Sequence, residues 1–192
     1  MGREFELKFS ATEAIQQAIL AQYPGGHTIA METTYFDTAD GALSRRHMTL
    51  RLRRENEETV CTLKTPLPDG SRGEWECPAT DLTAGIEALL VLGAPVELKA
   101  LTQQGLMVVC GARFTRQAID LPTADGLAEL ALDHGVLLGG GKEIPLREAE
   151  LELKSGSEEA LLTLSRTIAT TYGLQPEPES KFRRASVLAQ GE

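Results

Sequence analysis

The feature that most constrains this chain is an alternation. Residues 4–8 read Glu-Phe-Glu-Leu-Lys, and residues 148–154 read Glu-Ala-Glu-Leu-Glu-Leu-Lys. Successive side chains of a β-strand point to opposite faces. Glu4, Glu6 and Lys8 therefore share one face, and Phe5, Leu7 and Phe9 the other. Two carboxylates stacked on one face repel each other, which costs stability unless something cationic sits between them. A lysine two residues further on suggests what that face serves: a metal ion together with an anion.

The rest of the chain supplies more strands of the same kind. Ser10-Ala11-Thr12-Glu13 reads as a capping box with Ser10 as the cap, opening a helix with Ile15, Ala18, Ile19 and Gln22 on its stripe, ending near Pro24-Gly25-Gly26. Residues 28–36 are β-rich. Residues 47–55 and 58–65 form a hairpin about Asn56-Glu57, with Arg51 and Arg53 on one strand and Val60, Thr62 and Lys64 sharing a face of the other. Pro66 to Gly70 is a loop, and 72–78 is a strand with Arg72, Glu74 and Glu76 in step. Residues 81–105 give two short helices. Strands follow at 107–119, 126–138 and 144–154, the last two joined at Gly139-Gly140-Gly141. Ser157 caps a helix to about 172, and 179–189 forms a final short helix or turn.

This order is α+β with about eight mostly antiparallel strands. In an ordinary half-buried sheet the polar face is mixed and solvated; here one face is Glu, Arg or Lys in strand after strand. A sheet closed into a barrel, charges inside and apolar residues outside under helices, accounts for that, and a wide barrel holds a ligand.

Composition narrows the function. The 192 residues suit one domain, and a net charge of −9 argues against general binding to nucleic acid or to an anionic membrane surface. No apolar run approaches the ~20 residues needed to span a bilayer. Cys61, Cys77 and Cys110 have no ligand or disulfide spacing and read as reduced core thiols, so a cytoplasmic protein is expected. His27, His47 and His134 lack ligand spacing, and no Walker-type loop or nucleophile elbow is present.

Two sets of residues carry the chemistry. Glu4 with Glu6 and Glu150 with Glu152 are carboxylate pairs on two strands, with Asp133 as a fifth oxygen ligand; an all-oxygen set favours Mg²⁺ or Mn²⁺ over zinc. Arg51, Arg53 and Lys64 concentrate positive charge that an anion would bridge, since guanidinium groups hold phosphate oxygens bidentately. Arg113 and Arg116, three apart, fall on opposite faces of a regular strand, so one of them points inward. Arg54 reads as solvated. Together these groups describe a site for a phosphate chain more highly charged than orthophosphate.

The ordered set resembles the CYTH superfamily, the triphosphate tunnel metalloenzymes: Glu4-x-Glu6-x-Lys8, Leu50-Arg51-Leu52-Arg53, Thr62-Leu63-Lys64, Arg72-x-Glu74, Arg116, Glu129 with Asp133, Glu150-x-Glu152 and Ser180-Lys181. The resemblance implies an eight-stranded antiparallel barrel closed into a tunnel, as a single domain over 1–192 without the histidine-rich helical (CHAD) domain that the bacterial branch often carries. It implies triphosphate held by Lys8, Arg51, Arg53, Lys64, Arg116 and Lys181, with Arg184 as an additional candidate. It implies Mg²⁺ or Mn²⁺ held by Glu4, Glu6, Asp133, Glu150 and Glu152, with Glu148 competing for a place in the pair. Glu4, Glu6, Lys8, Glu150 and Glu152 are the catalytic candidates, and Lys8 belongs to the phosphate wall and not to a salt bridge with its neighbours. The expected activity is metal-dependent hydrolysis of inorganic triphosphate to pyrophosphate and phosphate. The alternatives are an adenylate cyclase, a thiamine or nucleoside triphosphatase on the same site, or a polyphosphate-binding module without catalysis.

Overall fold

The computed structural model of the protein describes residues 2–3, 5–67, 72–103 and 105–191. Glu4, and residues 68–70 of the expected loop, lie outside them. The strands are β1 (Gly2–Arg3), β2 (Glu6–Ser10), β3 (His27–Asp37), β4 (Thr49–Glu55), β5 (Glu58–Pro66), β6 (Arg72–Pro78), β7 (Met107–Pro122), β8 (Leu127–Gly139), β9 (Lys142–Ser155) and β10 (Gln175–Pro176). The helices are α1 (Glu13–Gln22), α2 (Leu82–Val91), α3 (Glu97–Thr102), α4 (Glu158–Tyr172) and α5 (Lys181–Gln190), with a short 3₁₀ turn at Ser44–Arg46.

The fold is α+β, as expected: one large antiparallel sheet flanked by helices. Its hydrogen-bonded order is a line of ten segments, β1-β6-β5-β4-β3-β7-β8-β9-β2-β10, where a ring of eight was expected. The difference arises at the ends. β10 is a two-residue segment after α4 that adds to β2, and the N-terminal stretch is split into two pieces with different partners. Gly2 and Arg3 pair with Glu74 and Gly73 of β6, while Glu6 to Ser10 pair with β9.

The two faces differ as the alternation requires. On the outer face, Phe9, Leu130, Leu132, Ala149 and Leu151 pack under α1 and α4 around Ile19, Leu161 and Ile168. Further round, Leu50, Cys61, Leu63, Trp75 and Cys77 pack under α2 and α3 around Leu89 and Leu98. All three thiols are free and buried. No helix among the described residues is long and apolar enough to cross a membrane.

Three local readings change. Ser10 is still in β2, opposite Glu148, so α1 is capped by Thr12, whose hydroxyl accepts from the Ile15 N–H at 3.3 Å. The buried stripe of α1 contains Gln16 and Ile19, while Ala18 and Gln22 are exposed. The final helix is not an outer element. α5 lies on the inner face, where Phe182, Ala185 and Ala189 pack against Tyr35, Cys110, Phe114, Leu137 and Leu146. Gly139 permits this seat: a Cβ there would stand 2.4 Å from the Ala185 carbonyl oxygen, so any other residue would lift α5 from β8. Its neighbours Gly140 and Gly141 make the hairpin itself, with φ of 58° and 74°.

Candidate functional site

Register places the charged residues on a common face, because directly opposed residues of an antiparallel pair point the same way. Glu6 opposes Glu152 and Lys8 opposes Glu150. Across the next ladder Glu152 opposes Glu129 and Glu148 opposes Asp133, and Asp133 in turn opposes Arg116. On the far side Thr49 opposes Lys64, Arg51 opposes Thr62, and Lys64 and Thr62 oppose Glu74 and Glu76. These side chains surround a cavity of about 490 Å³, lined also by Lys181 and Phe182 of α5 and by Ser180, which caps that helix.

The cavity has two charged walls. On β4, β5 and β6 the cations are interleaved with glutamates. Arg51 lies 3.7 Å from Glu74, Lys64 lies 3.4 Å from Glu74, and Arg53 Nε donates to Glu55 at 2.6 Å. Thr62 donates to Glu76 at 2.9 Å, and Arg72 donates to Thr49 at 3.1 Å. These acids brace cationic side chains that all line the cavity. Lys8 behaves otherwise than expected: it faces the cavity, yet its ammonium donates to Glu6, its own neighbour, at 3.3 Å.

The second wall is acidic. Carboxylate oxygens of Asp133, Glu148 and Glu150 lie within 4.8 Å of one another, all three residues buried. Three cations meet them. Arg116 grips Asp133 with two bonds of 2.8 Å and Glu150 with one of 2.5 Å. Lys181 Nζ sits among all three acids, 2.7 Å from Asp133 and 2.9 Å from Glu150 and in contact with Glu148. Arg184 pairs with Glu148 and reaches Glu177 at 3.5 Å. Lys181 and Arg184 stand in the first turn of α5, where cations are disfavoured by the helix dipole; the carboxylates opposite offset this. The Phe114 ring lies under both Lys181 and Arg116, at 5.2 and 5.9 Å.

Burial and charge work against each other here. Burial alone would lower the pKa of Lys181 and Arg116, but the surrounding carboxylates, Asp133 foremost, raise both. Burial alone would raise Glu150, but Lys181 and Arg116 outweigh it and hold the carboxyl well below the usual carboxylate range. For Glu148, burial prevails over Lys181 and Arg184 and pushes the carboxyl up.

Most expected site residues therefore meet at one place, with changes in their grouping. Arg116 is the inward arginine; Arg113 is exposed, 3.2 Å from Glu143, and Arg54 is exposed against Glu32. Glu148 joins Asp133 and Glu150 in the tight carboxylate group, whereas Glu152 is half-buried, 3.2 Å from Lys154 and across the ladder from Glu6. Lys181, expected on the phosphate wall, sits at the acids. Arg184 stands behind them and is absent from the cavity lining. Sequence reasoning missed Gln16, whose amide reaches the backbone of Asp133 and Glu148 from the outer face. The available signal was its place beside Ile15 and one turn from Ile19 and Leu20 on an otherwise apolar stripe.

The CYTH domain profile matches residues 2–186. An inorganic triphosphatase of Haemophilus influenzae is 30% identical over 198 residues, taking in 98% of this chain and 55% of that protein, so the chain spans about half the length of this curated relative. Among solved structures, a candidate adenylate cyclase from Bacillus halodurans superposes with a TM-score of 0.67 at 24% identity, covering 96% of this chain and 98% of that one. The adenylyl cyclase candidate HpAC1 from Hippeastrum, described as having a dominant triphosphatase activity, superposes at 0.62 with 19% identity over 98% and 95%. With the profile matched over nearly its whole length, this chain belongs to the CYTH domain family.

Proposed function

We propose that this chain hydrolyses inorganic triphosphate to pyrophosphate and phosphate, with Mg²⁺ or Mn²⁺, and that residues 1–192 act as one CYTH domain. The observation that carries this is the cavity itself: cations and carboxylates from most strands of the sheet point into one space of about 490 Å³. The inorganic triphosphatase activity of the Haemophilus relative supports the choice of substrate. The split N-terminal stretch supports closure into a tunnel, since its two pieces lace β6 and β9 together.

The donor set fits a hard divalent cation: three buried carboxylates, oxygen only, with converging atoms. Asp133, Glu148 and Glu150 would hold it, with Glu6 and Glu152 nearby. Such an ion, when bound, offsets phosphate charge and makes a bound water more acidic. The chain's own groups do the rest. Arg51, Arg53, Lys64 and Lys8 align the phosphate chain and stabilise the negative charge that grows on the departing pyrophosphate. A water oxygen attacks the terminal phosphorus as its bond to the bridging oxygen breaks, and the water's proton passes to a carboxylate oxygen. Glu152 suits that role better than Glu150, which Lys181 and Arg116 keep ionised and engaged.

A second reading has one observation in its favour. Ile29, Met31, Phe114 and Phe182 line the same cavity, an apolar strip on which the organic group of a triphosphate ester could rest. Phosphate release and cyclic AMP are measured with tripolyphosphate, thiamine triphosphate and ATP, under Mg²⁺ and then Mn²⁺. Fastest turnover is expected with tripolyphosphate. Cyclic AMP as the main product from ATP, or tight binding of tripolyphosphate without turnover under either metal, overturns the proposal.

Lys181 provides a separate prediction. Its ammonium occupies the centre of the carboxylate group, so it competes with a divalent ion for the same oxygens. Lys181→Met is expected to tighten Mn²⁺ binding in the absence of triphosphate by about tenfold or more, a charge-assisted contact being worth roughly 1.5–3 kcal/mol. Titration followed by electron paramagnetic resonance checks this; weaker Mn²⁺ binding in the variant would contradict it.

A further inference from the structure

We infer that Gln16 is a positioning residue for the metal-binding carboxylates, acting on them through the sheet from its outer face; the inference rests on the metal reading above. Gln16 lies on α1, 6% exposed, in a helix face otherwise packed by Ile15, Ile19 and Leu20. Its Nε2 donates to the Asp133 carbonyl at 2.9 Å and to the Glu148 carbonyl at 3.0 Å. Both partners are acceptors, so the amide presents its nitrogen, and the two N–H groups of that nitrogen serve one carbonyl each. Asp133 and Glu148 are register partners across β8 and β9. One side chain therefore joins two strands at the rung whose side chains, on the opposite face, belong to the carboxylate group.

The position asks for an explanation, because an amide in an apolar seam costs free energy unless it is hydrogen-bonded, and methionine would fill the space without that cost. Its use is mechanical. Carboxylates directly opposite on adjacent strands repel and tend to spread the rung. A clamp on the backbone of those same two residues resists the spreading. It holds their oxygens at a spacing that suits one ion, much as outer partners orient metal ligands elsewhere.

The test is Mn²⁺ titration by electron paramagnetic resonance, without substrate, on the wild-type chain, Gln16→Met and the control Gln17→Met, which alters an exposed neighbour on the same helix. Gln16→Met is expected to weaken Mn²⁺ binding by about 10–100-fold, the usual cost of losing an outer partner, with Gln17→Met unchanged. A purely structural role would lower the melting temperature of Gln16→Met and leave its Mn²⁺ affinity within twofold of wild type, which overturns the inference. A wild-type chain that binds no Mn²⁺ overturns the metal reading itself, and this assignment with it. If Gln16→Met does not fold, the wild type still decides: the Gln16 side-chain amide signals should shift as Mg²⁺ saturates the site, and signals that stay fixed while Mg²⁺ binds overturn the assignment.

Discussion

Replacing Glu152 by glutamine is expected to reduce turnover of tripolyphosphate by about 10²–10⁴-fold, the usual contribution of a positioned acid or base. The substitution keeps the size and removes the charge. Glu152 is the carboxylate to test because of its surroundings. Glu150 is held ionised by Lys181 and Arg116, and Glu148 is fully buried and engaged by Lys181 and Arg184, away from the cavity lining. Glu152 is half-buried, lines the cavity, and has an ion pair with the partly exposed Lys154. Steady-state phosphate release separates the possibilities. A fall in kcat with KM and Mn²⁺ affinity retained supports the role of base. A loss confined to metal affinity makes Glu152 a ligand, and unchanged kinetics remove it from the chemistry.

The largest expected loss of stability comes from Arg116→Met, about 3–5 kcal/mol, the range for removing one partner of a buried charged network. Methionine retains the apolar stem over Phe114 but leaves Asp133 and Glu150 without the guanidinium that bonds both. Glu129, 3.8 Å away, loses a more distant contact. Urea denaturation of both proteins gives the difference. Added Mg²⁺ should recover part of it, because a ligand that binds only the folded state stabilises that state by mass action. A loss below about 1 kcal/mol would show that Lys181 alone can compensate the acids.

The alternation at residues 4–8 and 148–154 made the charged inner face legible, and parity put Arg113 and Arg116 on opposite faces; which of them is inward follows only from the pairing of Arg116 with Asp133. Strand pairing explains this success: opposed residues share a face whatever the loops do. Three features lay beyond that logic. Thr12 caps α1 because β2 runs on through Ser10, a tertiary pairing that no capping motif encodes. α5 sits inside because Gly139 lets its backbone approach β8, whereas the triple glycine reads simply as a turn. Lys181 meets the acids because that seat carries the first turn of α5 to Asp133. Its sequence neighbourhood distinguishes nothing between a phosphate contact and an acid contact.

The divided N-terminal stretch has a consequence for how the protein is made. β1 and β2 are made before their partners: Gly2 and Arg3 pair with β6 and Glu6 to Ser10 with β9, so Glu6 finds Glu152 only once β9 has been made. Contacts of such sequence separation are slow to form, since loop closure must precede any gain from them. During synthesis β2 has no partner strand while its Phe9 face remains uncovered. The hairpins β4–β5 and β7–β8 are local and can form early. Completion of the charged cavity thus waits for β9 and α5, and the carboxylates of the acidic wall come together in the same event that gives β2 its partner in β9.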